Sequence, residues 1–374
     1  MMMLHHLIDR RDLAIRLLRL WECDSADLTL MDQYRISANA VYPFSHDGQV
    51  RFLRFAPTTE KRSGQTESEL AWLVWLNGHQ YPAGQPVPSR NGKLLEFCET
   101  EYGSLQASVF SHVGGERLDR IPLSPEILQA YGQTLARLHE HSTVYHPAAG
   151  TVPWTWRDVL AWSLSVLVHT PVLPAGAYGP DFNLLSDSDL ETDSASALEA
   201  VDELTCFFET LPTDPEHYGL IHFDFEPDNV FWHPDEAQCI PIDFDDAMVH
   251  WYLADVARAL ESLRECVSDS MEDAAENEGG SPPDESLRLD RQNAACGAFL
   301  SGYRSIRELK EESIALLPSF HRFSALYGYA RIVRALSIVN HEEPDWMGNL
   351  RFHLHGLMNE RKEIFKCRTG PTSP

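Results

Sequence analysis

The chain lacks most of what marks a secreted, membrane-spanning or nucleic-acid-binding protein. Its 374 residues include seven cysteines, an odd number, scattered and never spaced C-x-x-C. That argues against a disulfide framework or a structural zinc site and for a reducing, cytoplasmic setting. No apolar run approaches the roughly 18 residues a membrane span needs, and Met1–Leu7 lacks the charged-then-apolar order of a signal peptide. Positive charge is scarce: 30 Lys and Arg stand against 56 Asp and Glu, a formal net charge of −26. Between Asp158 and Ala257 there is no Lys or Arg at all, yet there are 21 Asp and Glu. Such a surface repels phosphate backbones and anionic lipid, so neither nucleic acid nor membrane is an expected partner. The stretch is either a solvated acidic face or a site that needs cations. What is present in ordinary amount is apolar content, 43%, enough for two domains or one bilobal unit with a real core.

Periodicity divides the chain into two kinds of segment. Residues 8–22 place Ile8, Leu13, Ala14, Leu17, Leu18 and Trp21 at helical spacing. A β-rich stretch follows, Tyr34–Phe44 turning at Ser45–Gly48 into the alternating run Val50–Phe55. A helix then carries Leu70, Leu73, Val74 and Leu76, with Glu67 and Glu69 near its start, and a second hairpin is expected from Lys93–Phe97 through Gly103 to Leu105–Phe110. Ser124 reads as an N-cap with Pro125 at the first helical position, opening a helix whose buried face is Leu128, Tyr131, Leu135, Leu138 and His139. Residues 143–200 read as a mostly irregular insertion around the apolar segment Val159–Leu167, and Ser268–Ser286 as an acidic loop. Gln292–Glu363 reads as largely helical and Arg368–Pro374 as a frayed tail. A β-rich region thus precedes a helical one.

The chemistry lies at 218–256. Leu220–Phe231 begins and ends apolar with His222, Asp224, Glu226, Asp228 and Asn229 between, and Ile240–Ala247 sets Asp243, Asp245 and Asp246 just after a β-like run. Two strands presenting such a loop would make these side chains converge. Phosphoryl transfer from a nucleotide needs a carboxylate to orient the attacking hydroxyl and accept its proton, and oxygen ligands for a hard divalent cation. Asp224, then Asn229 and Asp243, fit those roles. Taken alone, Asp224 with Asn229 would equally make a capping or turn pair.

His222-x-Asp224-x-x-x-x-Asn229 followed by Ile242-Asp243-Phe244 resembles the catalytic loop and metal-binding segment of the aminoglycoside phosphotransferase and choline kinase branch of the protein-kinase-like fold. Gly132–His139 is similar to the G-x-x-L-A-x-L-H helix of that branch, Val113–Glu116 to the small-residue segment after the hinge, and Asp255 to the aspartate that braces the catalytic loop. The resemblance spans roughly residues 30–340. It implies an α+β, bilobal fold with a nucleotide-binding N-terminal lobe at 1–112 and a helical C-terminal lobe at 113–374, the latter holding the catalytic loop, metal site and acceptor-binding insertion. It further implies ATP and Mg2+ as cofactors, Asp224 as base, and Asn229 and Asp243 as metal ligands. Arg54 would hold the α- and β-phosphates, with Glu69 (or Glu67) as its helix partner. Phe110, Ser111 and His112 would form the adenine hinge, and the Ser37-Ala38-Asn39 turn would cover the phosphates. Departures are the missing G-x-G-x-x-G loop, Arg in place of the usual Lys, the Glu226-Pro227-Asp228 spacer, and Asp245 where a D-F-G glycine would stand.

The leading expectation is an ATP- and magnesium-dependent kinase acting on a hydroxyl of a small molecule. The acidic helical region points to an amine-bearing, cationic acceptor such as an aminoglycoside-like antibiotic or an amino alcohol. The competing readings are a protein Ser/Thr kinase of the same fold and a non-catalytic nucleotide-binding protein.

Overall fold

The computed structural model describes residues 10–24, 29–36, 39–148, 150–169, 187–277 and 285–337. The N-terminal part is built on an antiparallel sheet. Strand β1 (Arg35–Ile36) pairs with β2 (Ala40–His46), β2 with β3 (Gln49–Pro57), and β3 with β6 (Gly103–Ser111). On its other edge β6 meets β4 (Pro86–Val87) near one end and β5 (Glu96–Thr100) near the other. The β2–β3 and β5–β6 hairpins match the expected runs; Asp47 and Gly48 turn the first with positive φ. Helix α1 (Arg11–Leu18) covers one sheet face, seating Leu13, Leu17 and Trp21 against Tyr42, Phe44, Leu53, Phe55 and Val109. The expected helix over 8–22 is shorter at its C-terminal end, stopping at Leu18, while Ile8 lies outside the described residues.

Helix α2 (Gln65–Gly78) crosses the other face, and its Trp72, Leu73 and Leu76 pack into the core of the helical part. Val74, expected on the packed side, is 49% exposed. Short β7 (Glu116–Arg117) leads into α3 (Pro125–Val144), which Ser124 caps by accepting the Ile127 N–H; the five residues expected on its inner face are buried.

The insertion expected to be irregular instead forms helices. After β8 (Trp154–Thr155), α4 (Trp156–His169) starts with a reciprocal cap: the Thr155 N–H donates to Asp158, and the Asp158 N–H to the Thr155 hydroxyl. Helix α5 (Asp187–Glu209) buries Ala197, Ala200, Val201, Leu204 and Phe208 at helical spacing, a stripe obscured in the sequence by the acids around it. Strands β9 (Tyr218–Ile221) and β12 (Met248–Trp251) pair antiparallel, as do β10 (Val230–His233) and β11 (Gln238–Pro241). Helix α6 (Tyr252–Asn277) runs ten residues into the segment expected to be an acidic loop, where Met271 is buried; residues 278–284 lie outside the description. Helices α7 (Glu285–Arg304), α8 (Glu311–Ile314) and α9 (Leu317–Leu336) complete the described part; the expectations for Ser337–Glu363 and the tail fall largely or wholly outside it.

Helices α3 and α7 touch backbone to backbone. A Cβ added at Gly132 would lie 2.0 Å from the Phe299 carbonyl oxygen, and one at Gly302 would lie 2.0 Å from that of Gln129. The resulting arrangement is a small antiparallel-sheet lobe followed by a larger helical lobe, with the loops of β9–β10 and β11–β12 at the cleft between them. The described cysteines are free, and among the described residues no helix is long and apolar enough to cross a membrane.

Candidate active site

The β9–β10 loop is held from behind by one buried carboxylate. Asp255, on the first turns of α6 and fully buried, accepts the Phe223 N–H (2.6 Å) and the His222 N–H (2.9 Å), and takes a third hydrogen bond from His139 Nε2 (3.1 Å) on α3. Tyr303 on α7 donates to the other His139 nitrogen at 2.7 Å, so both ring positions are satisfied by a neutral imidazole. Burial keeps the His139 pKa below its ordinary value. Pulled onto Asp255, Phe223 adopts a left-handed φ of 66°, an unusual cost for an aromatic residue. His222 ties the same loop forward, donating from Nε2 to the Ile242 carbonyl (3.0 Å) and accepting the Asp224 N–H at Nδ1 (3.2 Å).

Asp224 therefore emerges from a rigid turn. Its Oδ2 accepts from Asn229 Nδ2 at 2.9 Å, and the same amide also donates to the Asp224 carbonyl at 3.1 Å. With the nitrogen so engaged, the Asn229 amide oxygen lies at the other end of the group. Asn229 accepts the Ile242 N–H through its backbone carbonyl, which binds this loop to the segment carrying Asp243. Asp243 itself has φ 61° and a side chain 44% exposed at the cleft. The protein packed around it, together with the Asp245 and Asp224 carboxylates, raises its pKa, and Arg54 opposes that rise. Arg54 spans the lobes. One guanidinium nitrogen contacts Glu69 at 2.5 Å and the other reaches Asp243 at 3.4 Å, while Phe110 lies under the guanidinium at 4.6 Å. Glu69, rather than Glu67, is thus the acid that Arg54 meets.

The cleft therefore brings together Asp224, Asn229, Asp243, Arg54 and Glu69. Asn39 is buried and donates to Asp245 at 3.1 Å. Ser37 lies outside the described residues. Phe110 and Ser111 close β6, and the N–H groups of Ser111 and His112 already donate to the carbonyls of Gln85 and Val50. An adenine ring meeting this segment would find those two donors engaged. Of the tryptophans around the catalytic loop and insertion, Trp156 and Trp251 are buried, while Trp154 and Trp232 pack at the core's margin.

Several cleft residues escaped the sequence reading. Lys61 pairs with Asp245, and burial, which alone would raise Asp245, is overridden by Lys61 and Arg54, holding that carboxyl below its usual range. On α9, Arg331 contacts Asp246 at 2.6 Å and Tyr327 donates to the same carboxylate at 3.1 Å; their i, i+4 spacing was the only signal. Arg258, one turn beyond Asp255, pairs with Glu226. Burial and the neighbouring Asp224 push Glu226 up to about 8, with Arg258 opposing.

Among the described residues, several acids of the stretch are paired from outside it. Asp158 meets Arg62, Glu203 meets Arg322, and Glu209 meets Arg157; Arg258, Arg331, Lys61 and Arg54 serve the acids of the cleft. A metal site also fits the donor chemistry. Asp243 and the Asn229 amide oxygen are hard oxygen donors of the kind Mg2+ takes, and the crowding that raises the Asp243 pKa is the environment a divalent cation relieves.

The sequence matches the family described as "Phosphotransferase enzyme family" over residues 36–309. It is 22% identical to the amicoumacin kinase of Bacillus subtilis (strain 168), over 86% of each chain. It is also 28% identical to the homoserine kinase of Beijerinckia indica subsp. indica, over 77% of this chain and 78% of that one. Among solved structures, the amicoumacin kinase hAmiN in complex with AMP-PNP, Ca2+ and Ami shares the fold with TM-score 0.70 at 20% identity, covering 96% of this chain and 93% of that one. A microcompartment-associated aminopropanol kinase does so with TM-score 0.62 at 23% identity, over 95% and 99%. The chain, whose cleft brings Asp224, Asn229 and Asp243 together with a lobe-spanning arginine on a two-lobed α+β frame, belongs to the phosphotransferase enzyme family.

Proposed function

We propose that this protein is an ATP- and magnesium-dependent kinase that phosphorylates a hydroxyl of a small, amine-bearing molecule. One observation carries the reading: Asp224, fixed by Asn229, opens onto the same cleft as Asp243 and the Arg54–Glu69 pair. Asp224 orients the acceptor hydroxyl and takes its proton as the oxygen attacks. Asn229 holds the Asp224 carboxylate in one rotamer and, with Asp243, supplies the oxygens that would hold the metal. That ion, when bound, neutralises phosphate charge and aligns the nucleotide's outer phosphates. Arg54 presents a planar fork to the phosphates, kept in place by Glu69.

Support for an amine on the acceptor comes from the relatives, one of which is a kinase of aminopropanol. The acidic stretch argues less for it than its composition implies, because so many of its carboxylates already have arginine or lysine partners. The test is an acceptor panel of amino alcohols, hydroxy amino acids and aminoglycoside-like compounds, read by ADP release in the presence of Mg2+. Wild type turns over at least one member, and Asp224→Ala lowers that turnover by about 10²–10⁴-fold, the range for a lost general base. Near-full activity of Asp224→Ala would overturn the assignment.

A further inference from the structure

The turn that bears Asp243 is fixed from two sides. Before it, the catalytic loop holds Ile242, whose N–H donates to the Asn229 carbonyl and whose carbonyl accepts from His222 at 3.0 Å. After it, the contacts come from the β1–β2 turn, the segment following β3, and helix α2. Phe244 is fully buried and meets Trp72 of α2 edge-on, with 5.2 Å between ring centres. The Asp245 carbonyl accepts from Gln65 at the start of α2 at 3.2 Å, and the Asp245 carboxylate accepts from Asn39 at 3.1 Å and from Lys61. Between these anchors Asp243 takes a left-handed φ of 61°, a conformation that the surrounding contacts must hold.

Charge in this network is unevenly met. Glu69, Asp243 and Asp245 supply three carboxylates, against the two cations Arg54 and Lys61. Glu69 and Asp245 are buried, and each has a cation in contact, whereas the Asp243 side chain is exposed at the cleft. Arg54 is shared among all three acids. One of its nitrogens meets Glu69 at 2.5 Å, and the other lies 3.4 Å from Asp243 and 3.9 Å from Asp245. A guanidinium nitrogen facing Asp243 alone would close on it as a charge-assisted hydrogen bond. Asp245 draws that same nitrogen from a second side, and Lys61 offsets the charge that Asp245 adds to a buried cluster. One negative charge is left over in the network, and the exposed member is Asp243, a hard oxygen donor of the kind a divalent cation takes.

We infer that Asp245, engaged by Lys61 and Asn39, is a positioning residue for Asp243: it fixes the turn that aims Asp243 at the metal and keeps Arg54 from closing on the carboxylate the ion needs. This rests on the nucleotide and metal reading above. The experiment is titration calorimetry of AMP-PNP across a series of Mg2+ concentrations, with AMP as the reference and the melting temperature recorded for each variant. The double variant Lys61→Met with Asp245→Asn removes one charge of each sign, so the net charge beside Asp243 is unchanged and neither partner is left as an unpaired buried ion. It raises the Mg2+ concentration for half-maximal AMP-PNP binding by about 10-fold, the lower end of the cost of losing a group that orients a metal ligand, and leaves AMP affinity within about twofold. Gln65→Ala touches no charge of the network and is the milder change. It loosens the same turn and raises that Mg2+ concentration about threefold, in keeping with one neutral hydrogen bond. An unchanged Mg2+ requirement in the double variant, whatever its melting temperature, or a parallel fall for both ligands, would overturn the inference and make the pair purely structural. A loss in the double variant with none in Gln65→Ala would make Asp245 a ligand of the ion itself and overturn it too. Failure of wild type to bind AMP-PNP in a Mg2+-dependent way would instead remove the nucleotide and metal reading, and this role with it.

Discussion

Replacing Asp255 by Asn tests whether one buried carboxylate builds the loop that carries Asp224. The two residues have nearly the same shape, so the change is in hydrogen bonding. One Asp255 oxygen accepts the Phe223 N–H at 2.6 Å, and the other accepts from His222 N–H at 2.9 Å and His139 Nε2 at 3.1 Å. An amide must turn its NH2 toward one of these donors. In the less costly orientation it faces Phe223, losing one charge-assisted hydrogen bond of about 1.5–3 kcal/mol and weakening two others by roughly 1 kcal/mol each. The expected loss is about 3–5 kcal/mol, a large part of the 5–15 kcal/mol typical of a folded protein. At about 2–4 °C per kcal/mol for a unit of 150–250 residues, the melting temperature falls by roughly 10 °C. Turnover should fall further than folding does. Phe223 is kept at φ 66° by that same N–H, and strain of about 1–3 kcal/mol is released when the bond goes, letting Asp224 drift. Urea unfolding gives the stability, and ADP release measured well below the new melting temperature gives the turnover. A variant within 1 kcal/mol of wild type and fully active would refute the account of the loop.

Three further outcomes follow from particular contacts. Gly132→Ala drives a methyl into the Phe299 carbonyl, so α3 and α7 must separate; a loss of about 3 kcal/mol or more is expected in urea unfolding, and a neutral result would mean the helices are farther apart. His250 is fully buried among Phe208, Phe320, Phe323 and Trp251, and burial holds its pKa well below the ordinary value. Its folded pKa is the lower one, so its stabilising share is complete above the unfolded value of about 6.5 and is lost as pH falls below that toward the folded pKa. His250→Phe should therefore flatten the fall in melting temperature on acidification below about pH 6.5, and an unchanged slope would assign the acid sensitivity elsewhere. Arg54→Lys keeps the charge but cannot bridge Glu69 and Asp243 at once; the KM for ATP should rise about tenfold, with the melting temperature separating this from unfolding.

The order of lobes, the two hairpins, the capped α3 and the residues Asp224, Asn229 and Asp243 were legible because each rests on local pattern: alternation, helical spacing, a capping serine, a short motif. The insertion was misread because its helices begin on a Thr155–Asp158 cap hidden among tryptophans, and because the buried stripe of α5 is interleaved with acids. Choosing Glu69 over Glu67 needed the pitch and placement of α2, which bring one of the two acids to 2.5 Å from Arg54.

The clearest division concerns charge. By itself the sequence determined that a hundred consecutive residues hold 21 acids and no Lys or Arg, and that the motif acids lie within them. Only the tertiary structure decided what those charges face. Coulombic energy depends on separation in space, not along the chain, and folding carries Arg54, Lys61 and Arg62 from one side of the stretch, and Arg258, Arg322 and Arg331 from the other, to within ion-pair distance of it. What composition presents as a field open to a cationic partner includes, in the fold, a set of carboxylates already paired with Lys and Arg, four of them at the cleft.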